Sequence, residues 1–312
     1  MSAIGELTSM AKGRGRGGVR EKHPDNKPAL VFMAPWLLGL LGITLIPMIA
    51  SLYLSFTDYS LLAAPKWIGL QNFVDMFHDA RLMTSLKVTL IYVIVGVPLQ
   101  LALALALAVL LNEGIKGLSF YRSIFYLPSL LGGSVAIAIL WRQMFGTGGL
   151  VNQIAGMLGF TNLPGWISDP STALGTIILL HVWTFGSPMI IFLAGLRQIP
   201  QMYYEAAEVD GAGRWRRFTA ITLPLLTPII FFNLVLQVIN AFQSFTQAFV
   251  VSGGTGGPSD STLFYTLYLY QKGFTQFDMG YASAMAWLLL VIVAIFTVIN
   301  FFVSKFWVFY DD

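Results

Sequence analysis

Residues 88–111 read VTLIYVIVGVPLQLALALALAVLL, 24 residues without one Lys, Arg, Asp or Glu. At about 1.5 Å rise per residue the run is roughly 36 Å long as a helix, enough to cross a hydrocarbon layer about 30 Å thick. In lipid an open backbone would leave its N–H and C=O groups unpaired, so a spanning run must be a helix or part of a closed barrel. Barrel strands alternate polar and apolar residues over about ten positions; this run does not.

Five further uncharged segments surround it, giving six expected spans at 30–56, 88–111, 124–141, 172–196, 223–251 and 281–303. A charge at mid-span costs about 2.5–3.5 kcal/mol on insertion scales, so its absence from every segment is mutually consistent. Pro128 and the Gly132-Gly133 pair interrupt the third segment, which is the least regular. The composition agrees: 56% hydrophobic and 11% charged residues, with mean hydropathy +0.72, where soluble domains carry about 25% charge. The expected fold is an all-α integral membrane protein.

With no cysteine among 312 residues, disulfides, thiolate metal sites and cysteine nucleophiles are excluded. His23, His78 and His181 lie far apart in sequence and form no ligand spacing, so no bound metal is expected. A pI near 9.0 points to nucleic acid in a soluble chain, but here the basic residues flank hydrophobic runs and read as an orientation signal. The opening residues 1–28 form a basic, glycine-rich stretch with Lys12, Arg14, Arg16, Arg20, Lys22 and Lys27. The apolar run after it is much longer than a cleavable leader core, and it reads as a retained first span. With the N-terminus inside, thirteen Lys and Arg fall on the cytoplasmic side and five outside (Lys66, Arg81, Lys87, Arg142 and Lys272). Both termini, including the tail 305–312, are then expected in the cytoplasm.

Two outer loops carry pattern. GLVNQIAGMLG, 149–159, is a short apolar-periodic stretch able to lie flat on the outer face, and the turn GGTGGPS, 253–259, leads into FYTLYLYQ, 264–271. That aromatic run suits either interfacial packing or contact with an external partner. Trp36, Trp67, Trp141, Trp183 and Trp307 lie near expected span ends, where indoles serve as interfacial anchors.

The charged insert at 197–222 carries the functional signal. Pro200 introduces a short helix over 201–209, and Asp210-Gly211 stops it with a residue free to reverse the chain. Glu205 and Glu208 face water; the small side chains of Ala206 and Ala207 permit close approach. A second helical stretch follows over 213–221 with Arg214, Arg216 and Arg217, and Pro224 sits near the start of the fifth span, where a missing N–H costs least. Read without further context, this is an ordinary amphipathic loop.

Its full spacing resembles the membrane-domain family of binding-protein-dependent ABC importers, in the branch serving sugars and related solutes. The matching residues are Glu205-Ala206-Ala207, Asp210-Gly211-Ala212, Phe218, Ile221, Leu223-Pro224 and Pro228. WIGLQNF at 67–73 and FYRSIFYLPSLLGGSVAIAILWRQMF at 120–145 resemble further segments of that family, and the likeness covers nearly everything from Ala29 onward. The short first outer loop departs from the larger maltose-importer subunit, which carries a big insertion there.

The resemblance implies the type I importer permease arrangement in a bacterial cytoplasmic membrane. Glu205, Ala206, Ala207, Asp210 and Gly211 would then form the coupling contact with an ATPase subunit. Implied partners are a second homologous permease subunit, two copies of an ABC ATPase, an external solute-binding protein and a carbohydrate-like solute. ATP and Mg would be used by the ATPase subunits. No cofactor or nucleic acid is expected on this chain, which has no GxxxxGK[ST] loop.

Polar residues within a span are functional candidates. On the fifth, Asn233, Gln237, Asn240, Ser244 and Gln247 recur at intervals of 4, 3, 4 and 3. As one helix that places them on a face about 80° wide, with Gln243 beside it. Amides and a hydroxyl both donate and accept, which suits a neutral polyhydroxylated ligand; hydrogen-bonding between helices is the competing use of the same face. The expected function is a permease subunit for a sugar, oligosaccharide or related polyol phosphate. The alternative is a stand-alone secondary transporter, which needs a driving-ion site of its own, and no intramembrane carboxylate is visible.

Overall fold

The computed structural model describes residues 26–114, 117–160 and 163–309. Most of the basic stretch expected over 1–28 therefore lies outside the described residues. The chain divides into two units, one ending at Ala50 and one beginning at Ser51. In the first, helix Asn26–Gly39 continues through a π-helical turn, Leu40–Leu45, into helix Ile46–Leu54, which runs past the boundary. Among the described residues of the second unit the regular structure is helical apart from a hairpin of two-residue strands, Thr57–Asp58 paired antiparallel with Lys66–Trp67. Asn72 closes that hairpin by donating from Nδ2 to the carbonyls of Ser55 and Thr57.

Among the described residues four helices are long and apolar enough to cross a membrane: Val31–Leu54, Ala80–Asn112, Arg214–Phe242 and Met279–Ser304. Two bent pairs bring the number to six if each pair is one span: Leu118–Leu131 with Val135–Met144 at 94°, and Ala173–Trp183 with Gly186–Leu196 at 41°. These boundaries correct the sequence reading at five places. The helix containing 88–111 begins at Ala80, because Asp79 caps it by accepting from the backbone N–H of Arg81 and Leu82. Segments 124–141 and 172–196 are each two helices. The helix expected to start at 223 begins at Arg214, so the second half of the 197–222 insert belongs to it. It ends at Phe242 and does not continue to 251; Thr246–Ser252 is a separate helix.

The alternating Leu/Ala run explains the main packing seam. On a helix the residues Val97, Leu101, Ala104, Ala108 and Leu111 share one stripe, and all five are buried. The two alanines permit close approach of Gly186–Leu196, which presents Met189, Phe192, Leu193 and Leu196 to the same core. Gly186 is a second close approach: a Cβ there would stand 2.8 Å from Tyr126 Cα, so the third and fourth segments meet backbone to backbone.

Each break has a local cause. At the third segment the chain leaves the helix at Gly132-Gly133, and Ser134 caps the next one by accepting from the N–H of Ile137. At the fourth, Pro188 lacks the N–H that would bond the carbonyl of Thr184 four residues back. That carbonyl instead accepts from Ser129 Oγ at 2.8 Å and Gln100 Nε2 at 3.1 Å. The run expected at an interface or partner surface, 264–271, enters the core: Phe264, Tyr265, Leu267 and Tyr268 are buried, and the Tyr265 hydroxyl donates to the carbonyl of Met285 at 2.7 Å. Trp141 is likewise buried, donating from its indole to the carbonyl of Thr176.

Candidate functional site

The three helix breaks, at 132–134, 184–185 and 243–245, surround one cavity of about 280 Å³. Tyr92, Ser129, Gly133, His181, Thr184, Ser187, Gln237, Asn240, Ser244 and Gln247 line it. None of these is Lys, Arg, Asp or Glu. The size lies just under the roughly 300 Å³ at which small-molecule pockets begin.

Four of the six sequence candidates therefore converge, though by a different route from the one expected. Gln237 and Asn240 stand near the end of helix Leu223–Phe242, Ser244 in the break and Gln247 on the following helix. The single continuous face read from the sequence is interrupted after Phe242, yet Ser244 and Gln247 still line the cavity. Ser244 Oγ donates to Gln247 Oε1 at 3.3 Å, and Gln247 Nε2 donates to the carbonyl of Gly132 at 3.2 Å. Asn233 and Gln243 do not line it. Asn233 is fully buried, donating to the carbonyl of Ile229 while its Oδ1 has no partner among the described residues; Gln243 is exposed.

Sequence reasoning missed the opposite wall, Tyr92, Ser129, His181, Thr184 and Ser187. A signal was present on the fourth segment, where His181, Thr184 and Ser187 recur every 3 residues, but the reading looked for polar faces on the fifth. His181 Nε2 is buried without a hydrogen-bond partner among the described residues, and its ring packs 5.0 Å from that of Tyr92. A buried polar atom without a partner is costly, and a solute hydroxyl would relieve it.

The second constellation lies at the far end of the long helices, where Arg214 and Glu113 approach to 3.9 Å. Helix Gln201–Val209 starts after Pro200 and ends as the Asp210-Gly211 signal implied. Gly211 has φ +77°; its N–H bonds the carbonyl of Glu208, and the N–H of Ala212 that of Ala207. This is a glycine-terminated helix end satisfying two otherwise orphaned carbonyls. Glu205, Ala206, Asp210 and Gly211 are exposed and Ala207 is half-buried. Met202 and Val209, 67% and 89% exposed, add apolar surface to the same short helix. Among the described residues no three His, Cys, Asp or Glu side chains gather to hold a metal.

Comparison with known proteins identifies the family. The family profile described as binding-protein-dependent transport system inner membrane component matches residues 88–307. A probable ABC transporter permease, YesP of Bacillus subtilis (strain 168), is 55% identical over 94% of this chain and 95% of its own. The lactose transport system permease LacF of Rhizobium radiobacter is 32% identical over 88% and 93%. The trehalose/maltose transport system permease MalF of Thermococcus litoralis is 32% identical over 91% and 96%. Among solved structures, a chain of a bacterial alginate ABC transporter, crystallised with an alginate pentasaccharide-bound periplasmic protein, superposes with TM-score 0.76 at 23% identity, covering 90% of this chain and 94% of that one.

Proposed function

Because the chain belongs to the family of binding-protein-dependent transport system inner membrane components, and is thus a multi-pass permease subunit of an ABC importer, we propose that its polar cavity is half of the pathway for a neutral carbohydrate. The observation that carries this is the lining: four amide and hydroxyl side chains of the fifth segment face a histidine, a tyrosine and three further hydroxyls, with no full charge among them. Such groups match a ring of hydroxyls that both donate and accept. LacF and the Thermococcus protein, both about a third identical, are named for neutral sugars. The carbonyls and N–H groups freed at three helix breaks sit where transporters place broken helices, around the solute.

In this reading each bent pair is one span, giving six, with both termini in the cytoplasm beside helix Gln201–Val209. Glu205, Ala206, Ala207, Asp210 and Gly211 seat in a groove of an ATPase subunit. A second, homologous permease subunit completes the pathway, two ATPase copies drive it, and an external binding protein delivers the solute. Closure of the ATPase pair pushes on the short helix and changes which side the cavity faces. The chain supplies the path; ATP and Mg are used by the ATPase subunits.

Affinity purification of the tagged chain in mild detergent, with mass spectrometry of what stays bound, tests this assembly. The expected result is an ATPase subunit and a second permease. Recovery of this chain alone, under conditions that keep a known importer whole, would point instead to a self-contained transporter.

A further inference from the structure

One helical turn joins the two constellations. Helix Gln201–Val209 offers its own chain one stripe, Tyr204 and Glu208, which stand four residues apart and therefore on one face. Tyr204 Oη lies 2.9 Å from Thr222 Oγ1, and Arg217 Nη1 donates to Glu208 Oε2 at 3.3 Å. The partner positions, 217 and 222, are five residues apart. In an α-helix they would lie about 140° apart, at about 100° per residue, and could not both face one partner. Residues Phe218–Thr222 are π-helical instead. A π turn closes bonds between residues five apart, which brings the two positions to the same side. Helix Arg214–Phe242 then runs on without interruption to Gln237 and Asn240 in the cavity.

We propose that the π turn Phe218–Thr222 is a fixed joint, and that Tyr204 and Glu208 are positioning residues that make the coupling helix and helix Arg214–Phe242 move as one lever between ATPase and cavity. The proposal rests on the coupling role given above to Glu205 through Gly211 and adds how motion leaves that contact. Thr222 is buried and Tyr204 half-buried, so their hydrogen bond is partly shielded from water; in the other pair the Glu208 side chain is 73% exposed and that of Arg217 24%, so this pair contributes mainly direction.

The whole importer is the sample: this chain with its co-purified permease and ATPase subunits in nanodiscs, plus the solute-binding protein. Subunit stoichiometry and basal ATP hydrolysis report assembly; the ratio of binding-protein-stimulated to basal hydrolysis reports transmission. Tyr204→Phe removes one hydroxyl and keeps the ring. It is expected to leave stoichiometry and basal rate unchanged and to lower the ratio about five-fold, the scale of one lost hydrogen bond. Glu208→Arg and Arg217→Glu should each lower the ratio, and the double exchange should restore it. Since the chain has no cysteine, Glu208→Cys with Arg217→Cys bridged by a short bis-maleimide tests rigidity directly: a fixed joint keeps its stimulated hydrolysis after bridging. Ratios within two-fold of wild type in Tyr204→Phe and both charge reversals, or loss of stimulation on bridging, would overturn the proposal. If the wild-type chain recruits no ATPase subunit, the coupling assignment fails first, and that outcome is visible before any variant is made.

Discussion

Gln247 donates from Nε2 to the carbonyl of Gly132 at 3.2 Å, tying the break in the fifth segment to the break in the third. One amide that also lines the cavity thus links two helix breaks through residues 115 positions apart in sequence. Gln247→Leu should lose about 1 kcal/mol of stability and most solute uptake. Gln243→Leu, at an exposed site outside the cavity, should stay within about 0.5 kcal/mol of wild type and transport normally. Equal losses in both would show that the cavity is not where solute is read; thermal unfolding and uptake in membrane vesicles supply the comparison.

Gly186 marks the closest packing of the third and fourth segments. A methyl group at this position meets the carbonyl oxygen of Phe125 and the Cα of Tyr126, both backbone and therefore unable to swing aside. Gly186→Ala should cost about 1–3 kcal/mol by overpacking. Gly175, with open space around its Cβ direction, is the control: Gly175→Ala should be tolerated. The order of the two melting temperatures in detergent decides it.

At the coupling helix, Gly211 sits at φ +77° with nothing near its missing Cβ, so strain rather than crowding limits substitution. A left-handed conformation costs a side-chain-bearing residue about 1–2 kcal/mol, more when β-branched. Gly211→Val and Glu205→Ala should leave the chain in the membrane while weakening ATPase recruitment or coupled hydrolysis. Normal complex recovery with normal stimulated hydrolysis in both would sink the coupling assignment.

Asp79 gathers the opposite end of the second unit. Its carboxylate caps helix Ala80–Ile91 and accepts from the hydroxyls of Tyr268 at 2.6 Å and Tyr281 at 2.8 Å. Lys272 lies over both rings, and Arg81 makes a two-pronged pair with Asp260 beside them. Partial burial works to raise the Asp79 pKa, but the hydrogen bonds from Tyr268, the Leu82 N–H and Tyr281, with the nearby Lys272 charge, outweigh it and hold the carboxyl below its ordinary 3.8. A depressed folded-state value means stabilisation present above the unfolded pKa and lost as pH falls through the folded one. Unfolding of the solubilised protein should therefore grow easier below about pH 4. Asp79→Asn keeps a capping oxygen but weakens the charge-assisted hydrogen bonds from Tyr268 and Tyr281; it should cost about 1 kcal/mol at neutral pH, and should flatten the acid limb. An unchanged limb would assign it to other carboxylates.

Much of this was legible before the fold was seen. The uncharged runs located the apolar segments, because water-soluble folding offers no use for so long a stretch without charge. Helix Gln201–Val209 could be bounded to the residue, since Pro200 and Asp210-Gly211 act through local backbone rules. The Gly132-Gly133 pair marked the third segment as irregular, though not the size of its bend. Less visible was the break after Phe242: Gln243 and Ser244 are compatible with helix, and what holds the interruption open is tertiary, through Gly132 and Thr266. The Asp79 cluster was beyond local reading for the same reason, its tyrosines lying 189 and 202 positions away. The aromatic run 264–271 suits a surface when read alone; Asp79 and the Met285 carbonyl give the Tyr268 and Tyr265 hydroxyls buried partners.

The most direct test of the account is ATP-driven uptake of a labelled neutral oligosaccharide into proteoliposomes holding the assembled complex. The solute-binding protein stands on the loading side, and wild type is compared with Gln237→Leu/Asn240→Leu. The account predicts uptake that requires ATP and the binding protein, and that falls at least ten-fold in the double variant while ATPase subunits remain bound. Uptake by this chain alone, driven by an ion gradient and indifferent to ATP, would contradict it.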